Sequence, residues 1–127
     1  MGMIVLDTAI LIDNLRGRPD TGEVLDKAAA RGDEFFASVL TRVEILAGMC
    51  SHERAATHAL LHSLAWINVD SEISWQAGEF ARKFRSSHHN IGVVDYVIAA
   101  TATQLDASLW TRNVKHFPMF PDLAPPY

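Results

Sequence analysis

Met3-Ile4-Val5-Leu6-Asp7-Thr8 sets the reading of everything that follows. Four apolar residues stand in an unbroken run, with no polar residue in alternate places. That pattern describes a strand covered on both faces, as in a parallel sheet. Asp7 closes the run. Residues 8–15 then turn helical at once, with Ile10, Leu11 and Leu15 at helical spacing. A strand that passes directly into a helix is the opening half of a β-α-β unit, which must return to the sheet by a crossover.

The rest of the chain repeats this alternation. Gly17, Pro19 and Gly22 mark a turn. Val24, Leu25, Ala28 and Ala29 trace a second helix that Gly32 ends. Residues 35–39 read as a strand and 40–47 as a helix stopped by Gly48. Ala56, Leu60, Leu61 and Leu64 give another helix, and 66–69 a third strand. Ile73, Ala77, Phe80, Ala81 and Phe84 form a long amphipathic helix. Residues 86–92 are polar and loop-like. Val94, Val97, Ile98, Thr101 and Leu105 make a strong helix over 94–106, followed by a strand at 108–111 and a last short strand expected near Leu123. Strands alternating with helices predict an α/β fold with a mainly parallel central sheet and helices on both faces.

At 127 residues the chain suits one domain over 1–127 with a core that needs no staple. Cys50 is the one cysteine, so no disulfide framework or zinc cluster is available and a reducing, cytoplasmic setting is expected. The opening apolar run is too short for a signal peptide, and no stretch approaches the ~20 apolar residues of a membrane span. The net charge of −4 counts mildly against a nucleic-acid partner, but a carboxylate-rich metal site would itself contribute negative charge.

Open parallel sheets bind ligands beyond the carboxyl ends of their strands. Three acids lie near the strand-to-helix turns at those ends or early in helices: Asp7, Glu44 and Asp95. Each has a structural explanation. Asp7 and Asp95 could cap helices, and Thr41-Arg42-Val43-Glu44 has the form of a capping box. Their neighbours point elsewhere. Leu40, Ala47 and Gly48 share a helix face with Glu44, which turns it toward the protein. Asp95 stands among Val93, Val94, Tyr96, Val97 and Ile98. Carboxylates among apolar residues without basic partners need compensation. One divalent cation would supply it for all three, and oxygen-only ligands suit Mg²⁺ or Mn²⁺ rather than zinc.

Four segments, 4–8 (IVLDT), 38–48 (SVLTRVEILAG), 92–100 (GVVDYVIAA) and 110–117 (WTRNVKHF), together resemble the ordered motifs of the PIN-domain family, VapC toxins in particular. The resemblance runs from the first strand to the proline-rich tail. It implies a three-layer α/β/α sandwich that cuts RNA with Mg²⁺ or Mn²⁺ held by acids, here Asp7, Glu44 and Asp95. It places Thr8, Ser38, Thr111 and Asn113 as polar residues of the same pocket. It also implies a homodimer, and a VapB-type antitoxin whose tail occupies the active-site groove. The residue before Phe117 is often acidic in that family. Here it is His116, which removes the fourth carboxylate and leaves one metal or two open; His116 is either a secondary member of the site beside Asp7 and Asp95 or points to solvent or RNA phosphate.

Other residues are open to two readings. Arg112 and Lys115 flank the last motif and either face RNA phosphate or are merely solvated. Arg82, Lys83 and Arg85 read as the wet side of a helix, and His88-His89 as a solvated loop. Asp13 either supports the site or faces solvent. Trp66 and Trp75 suit a core or an interface. A haloacid-dehalogenase phosphatase would need a second Asp where Ala9 stands, and Cys50 has no evident His partner for nucleophilic chemistry. The rival of another class is a PIN-like binding module that has lost catalysis, with His116 as the feature in its favour.

Overall fold

The strand at Met3–Leu6 (β1) lies inside a four-stranded sheet of order β3-β2-β1-β4, every pair parallel, in the computed structural model, which describes residues 2–127. The other strands are β2 (Glu34–Ser38), β3 (Ala65–Ile67) and β4 (Ser108–Trp110). Helices fill the crossovers. They are α1 (Thr8–Leu15) and α2 (Pro19–Ala30), then α3 (Val39–Gly48) and α4 (Arg54–His62), then α5 (Ser71–Phe84) and α6 (Val93–Leu105). Short 3-10 turns cover Ser51–Glu53 and Val114–His116.

Alternate side chains of β1 explain the layers. Ile4 and Leu6 pack with Ile10, Leu11, Ala28, Ile45 and Leu61 of α1 to α4. Val5 points the other way, onto Ile98, Ala99, Ala102 and Phe117. The same division continues through Phe35 against Phe36 and Trp110 against Leu109. The sheet is therefore covered on both faces, the three-layer α/β/α arrangement the unbroken run of β1 requires. Right-handed crossovers give the same division, because the chain first winds from β1 to β3 and then reverses to reach β4. That reversal makes β1 and β4 the topological switch point, where open α/β sheets present their ligand crevice.

Several local readings change. Pro19, read as part of a turn, is the first residue of α2, where its missing N–H costs nothing. Gly48 is the last residue of α3 rather than its stop. Gly32 does end α2, with a left-handed φ of 88° that favours glycine. The strand expected near Leu123 does not form: residues 118–127 hold no strand, and prolines at 118, 121, 125 and 126 deny N–H donors to a ladder.

Candidate active site

Asp7 leaves the end of β1 as the N-cap of α1, and its side chain is 3% exposed. One carboxylate oxygen accepts the Thr8 backbone N–H at 2.8 Å. The other accepts the Thr111 hydroxyl at 2.6 Å, from the residue that follows β4. Thr111 is itself buried, and its Oγ1 accepts the Asn113 backbone N–H at 2.9 Å. The switch point thus holds a buried carboxylate with a donor from each of two strand ends. The cap reading of Asp7 is correct as geometry, but a cap has no need of the Thr111 bond.

Glu44 reaches the same place from α3. Its Oε1 accepts the Thr8 hydroxyl at 2.7 Å, and the Thr8 Oγ1 also lies 3.2 Å from the buried Thr41 hydroxyl. Two expectations fail here. The N-cap of α3 is Ser38, whose buried Oγ accepts the Leu40 N–H at 3.2 Å, so Thr41 and Glu44 are interior positions and form no capping box. Glu44 is also exposed rather than turned into the protein, because the face it shares with Ala47 and Gly48 is itself open. Thr41 was overlooked in the sequence because a cap assignment had already accounted for it.

Asp95 stands three residues past Gly92, the N-cap of α6, and reaches back to the Gly92 N–H at 3.3 Å. This long bond is half of a capping box; Gly92 has no side chain to supply the other half. The Asp95 Oδ2 lies 3.2 Å from Nδ1 of His116, which the 3-10 turn after Thr111 carries in. The position where an acid was expected therefore contacts the acid opposite.

Burial raises the Asp7 carboxyl above its ordinary value of 3.8; the Thr111 and Thr8 hydrogen bonds oppose this, and the charges of Asp95 and Glu44 add to it. Asp95 and Glu44 thus both lie near enough to Asp7 to act on its charge. Among the described residues no Lys or Arg forms an ion pair with any of them. Nor, among the described residues, do three His, Cys, Asp or Glu side chains stand grouped so as to hold a metal ion. The arrangement is an unneutralised oxygen-donor cluster over two helix N-termini, which favour anions.

The remaining residues fall into place around it. The Asn113 side chain is exposed and makes no cap bond. Lys115 is exposed beside His116. Arg112 is exposed and donates from Nη1 to Asp13 at 3.0 Å, so Asp13, 16% exposed at its side chain, is a bonded support and not a solvent-facing acid. Arg82, Lys83 and Arg85 are exposed. His88 is half-buried, its ring edge-on to Phe84, and is more than a solvated loop residue. Trp66 is half-buried and bonds the Leu61 carbonyl, whereas Trp75 is 76% exposed and belongs to no core. A cleft of about 500 Å³ lies between β4 and residues 119–124, away from the acids. Chemistry and topology, not volume, locate the site.

Fold and site together define a class: a three-layer α/β domain with an acidic pocket at the switch point of a parallel sheet. The PIN domain family profile matches residues 4–118. Ribonuclease VapC19 of Mycobacterium tuberculosis is 48% identical over 125 residues, covering 98% of this chain and 100% of the relative. Ribonuclease VapC10 of the same organism is 41% identical over 98% of this chain and 93% of its own. Among solved structures, a toxin–antitoxin complex from Klebsiella pneumoniae matches with a TM-score of 0.81 at 27% identity over 98% of each chain. VapBC-1 from nontypeable Haemophilus influenzae matches with 0.77 at 26% identity, over 95% of this chain and 94% of that one. The chain belongs to the PIN-domain family, in its VapC-type ribonuclease branch.

Proposed function

We propose that this chain is a Mg²⁺- or Mn²⁺-dependent endoribonuclease and the toxin of a type II toxin–antitoxin pair. The observation that carries the reading is Asp7: a buried carboxylate at the switch point, bonded from both sides, with Asp95 and Glu44 near it and no Lys or Arg paired with any of the three among the described residues. Such a cluster fits a divalent ion by its donor chemistry, oxygen only and unneutralised. Asp7, Glu44 and Asp95 would hold the ion. When bound, it would activate water and offset charge on the scissile phosphate.

The protein's part is orientation. The Thr8 N–H and Thr111 hydroxyl fix both Asp7 oxygens and leave about two of the four carboxylate lone-pair sites open. The Thr8 hydroxyl holds Glu44, and His116 holds Asp95. Lys115, exposed beside His116, would meet RNA phosphate next to the site. With water as nucleophile, cleavage leaves 5′-phosphate and 3′-hydroxyl ends. The same reading carries a homodimer and a VapB-type antitoxin encoded next to this gene. Light scattering and co-purification check those two partners.

The test of the chemistry is cleavage of RNA by purified chain. Cleavage is expected with Mg²⁺ or Mn²⁺, none in excess EDTA, and none from Asp7→Asn, Glu44→Gln or Asp95→Asn. Full cleavage in EDTA would sink the mechanism. A metal titration without binding, together with no cleavage, would favour the binding-module reading that His116 suggests.

A further inference from the structure

We propose that Asp13, Arg112 and Tyr127 form a clasp that positions the Thr111–His116 segment against Asp7, making them positioning residues for the reaction. The inference rests on the ribonuclease reading for its catalytic consequence, though not for its geometry. Asp13 lies in α1, and its side chain is 16% exposed. Its Oδ2 accepts the Tyr127 hydroxyl at 2.6 Å and Nη1 of Arg112 at 3.0 Å. Two guanidiniums lie over the Tyr127 ring, with Cζ of Arg18 at 5.1 Å and Cζ of Arg112 at 5.8 Å from its centre. Tyr127 also packs against the core cluster beneath α1.

What the clasp does follows from where its members sit. Asp13 is six residues along α1 from Asp7, about 9 Å at the helical rise. Arg112 directly follows Thr111. The Thr111–Asp7 bond and the Arg112–Asp13 bond therefore tie the same two elements, α1 and the segment leaving β4, at two separated points. One tie is a pivot; two fix an orientation. Thr111, Asn113 and His116 all ride on the segment so fixed. Arg112 gives one N–H to Asp13 and lies over the Tyr127 ring, while its side chain stays 40% exposed. Nothing in the catalytic cluster needs Tyr127, which touches none of the three acids among the recorded contacts.

The experiment uses the full chain with Tyr127→Phe, Asp13→Asn and the double variant. Trp66→Phe serves as a control that loses a comparable hydrogen bond, to Leu61, at the far edge of the sheet. All are assayed well below their melting midpoints. Displacement of the segment is expected to lower kcat about ten- to a hundredfold, with KM unchanged. The double variant should be no worse than the worse single one, since both act through one carboxylate. The control should keep wild-type kcat. Hydrogen exchange supplies a readout apart from activity: the Asn113 amide, bonded to Thr111, should exchange faster in the clasp variants only. Wild-type kcat together with wild-type Asn113 exchange overturns the clasp. So does a rise in KM alone, which would make the cluster an RNA-binding surface. If wild type cleaves no RNA, the ribonuclease reading fails, and Asn113 exchange still decides the clasp.

Discussion

The Asp7 carboxyl is kept in the fold at a cost that a bound cation would remove. Its raised pKa means that the folded chain holds this proton to a higher pH than the unfolded chain does. Folded protein therefore binds more protons between 3.8 and the raised value, and stability falls as pH rises through that window. Above it the penalty is fully present; below 3.8 it is gone. Metal-free Asp7→Asn should accordingly melt higher than wild type at pH 7, with the difference closing as pH falls through the raised value toward 3.8. A lower melting point at pH 7 would show instead that the Thr8 and Thr111 bonds to the charged oxygens outweigh burial and repulsion. At this scale the sequence told much but not all. Asp7 at a strand-to-helix junction, with Glu44 and Asp95 early in helices, is visible as a pattern. His116 beside Asp95 follows from the placing of its segment in the same pocket, but the Thr8 hydroxyl on Glu44 does not, because a contact across 36 positions depends on how the strands are ordered.

Asp95 owes its placement to α6, buried from Tyr96 to Ala102 and packed between the sheet and α5. Ile98, fully buried beneath Val5, should cost about 2–5 kcal/mol when cut to Ala, the usual loss for a large core side chain. Trp75→Ala, at an exposed position of α5, should stay within about 0.5 kcal/mol. Urea unfolding of both variants measures the contrast, and equal losses would mean that burial of α6 does not carry the fold. The helical period of α6 made it readable from Val94, Val97, Ile98 and Thr101. Ends were less readable than interiors. Pro19 signals a turn as strongly as a first helical residue, and only the packing of Ala28 beneath the sheet selects the helix. The tail beyond Phe117 shows the opposite failure. Leu123 has strand character, but its neighbouring prolines leave no ladder to join.

Across the whole molecule, the parallel order β3-β2-β1-β4 turns distant sequence positions into one acidic pocket in a chain already carrying −4. β1 could be recognised as a buried parallel strand from its own residues. That β4, and not β3, lies beside it could not, since strand order comes from the reversal of the crossovers. The consequence is linkage between ligand and fold. A cation that binds the native pocket and not the unfolded chain stabilises by RT ln(1 + [L]/Kd), about 2.7 kcal/mol at a hundred times Kd. Without metal, Asp95→Asn relieves repulsion on Asp7 and should melt at or above the wild-type temperature. Saturating Mg²⁺ should raise the wild-type melting temperature and raise the variant's less, so that the order reverses with metal. Melting curves across a Mg²⁺ titration, with Ca²⁺ in parallel, read this directly. A variant that loses several kcal/mol already in the metal-free state would make Asp95 chiefly a helix cap, through its bond to Gly92. A wild-type midpoint indifferent to Mg²⁺ and Mn²⁺ at millimolar concentration would remove the cation from the pocket altogether.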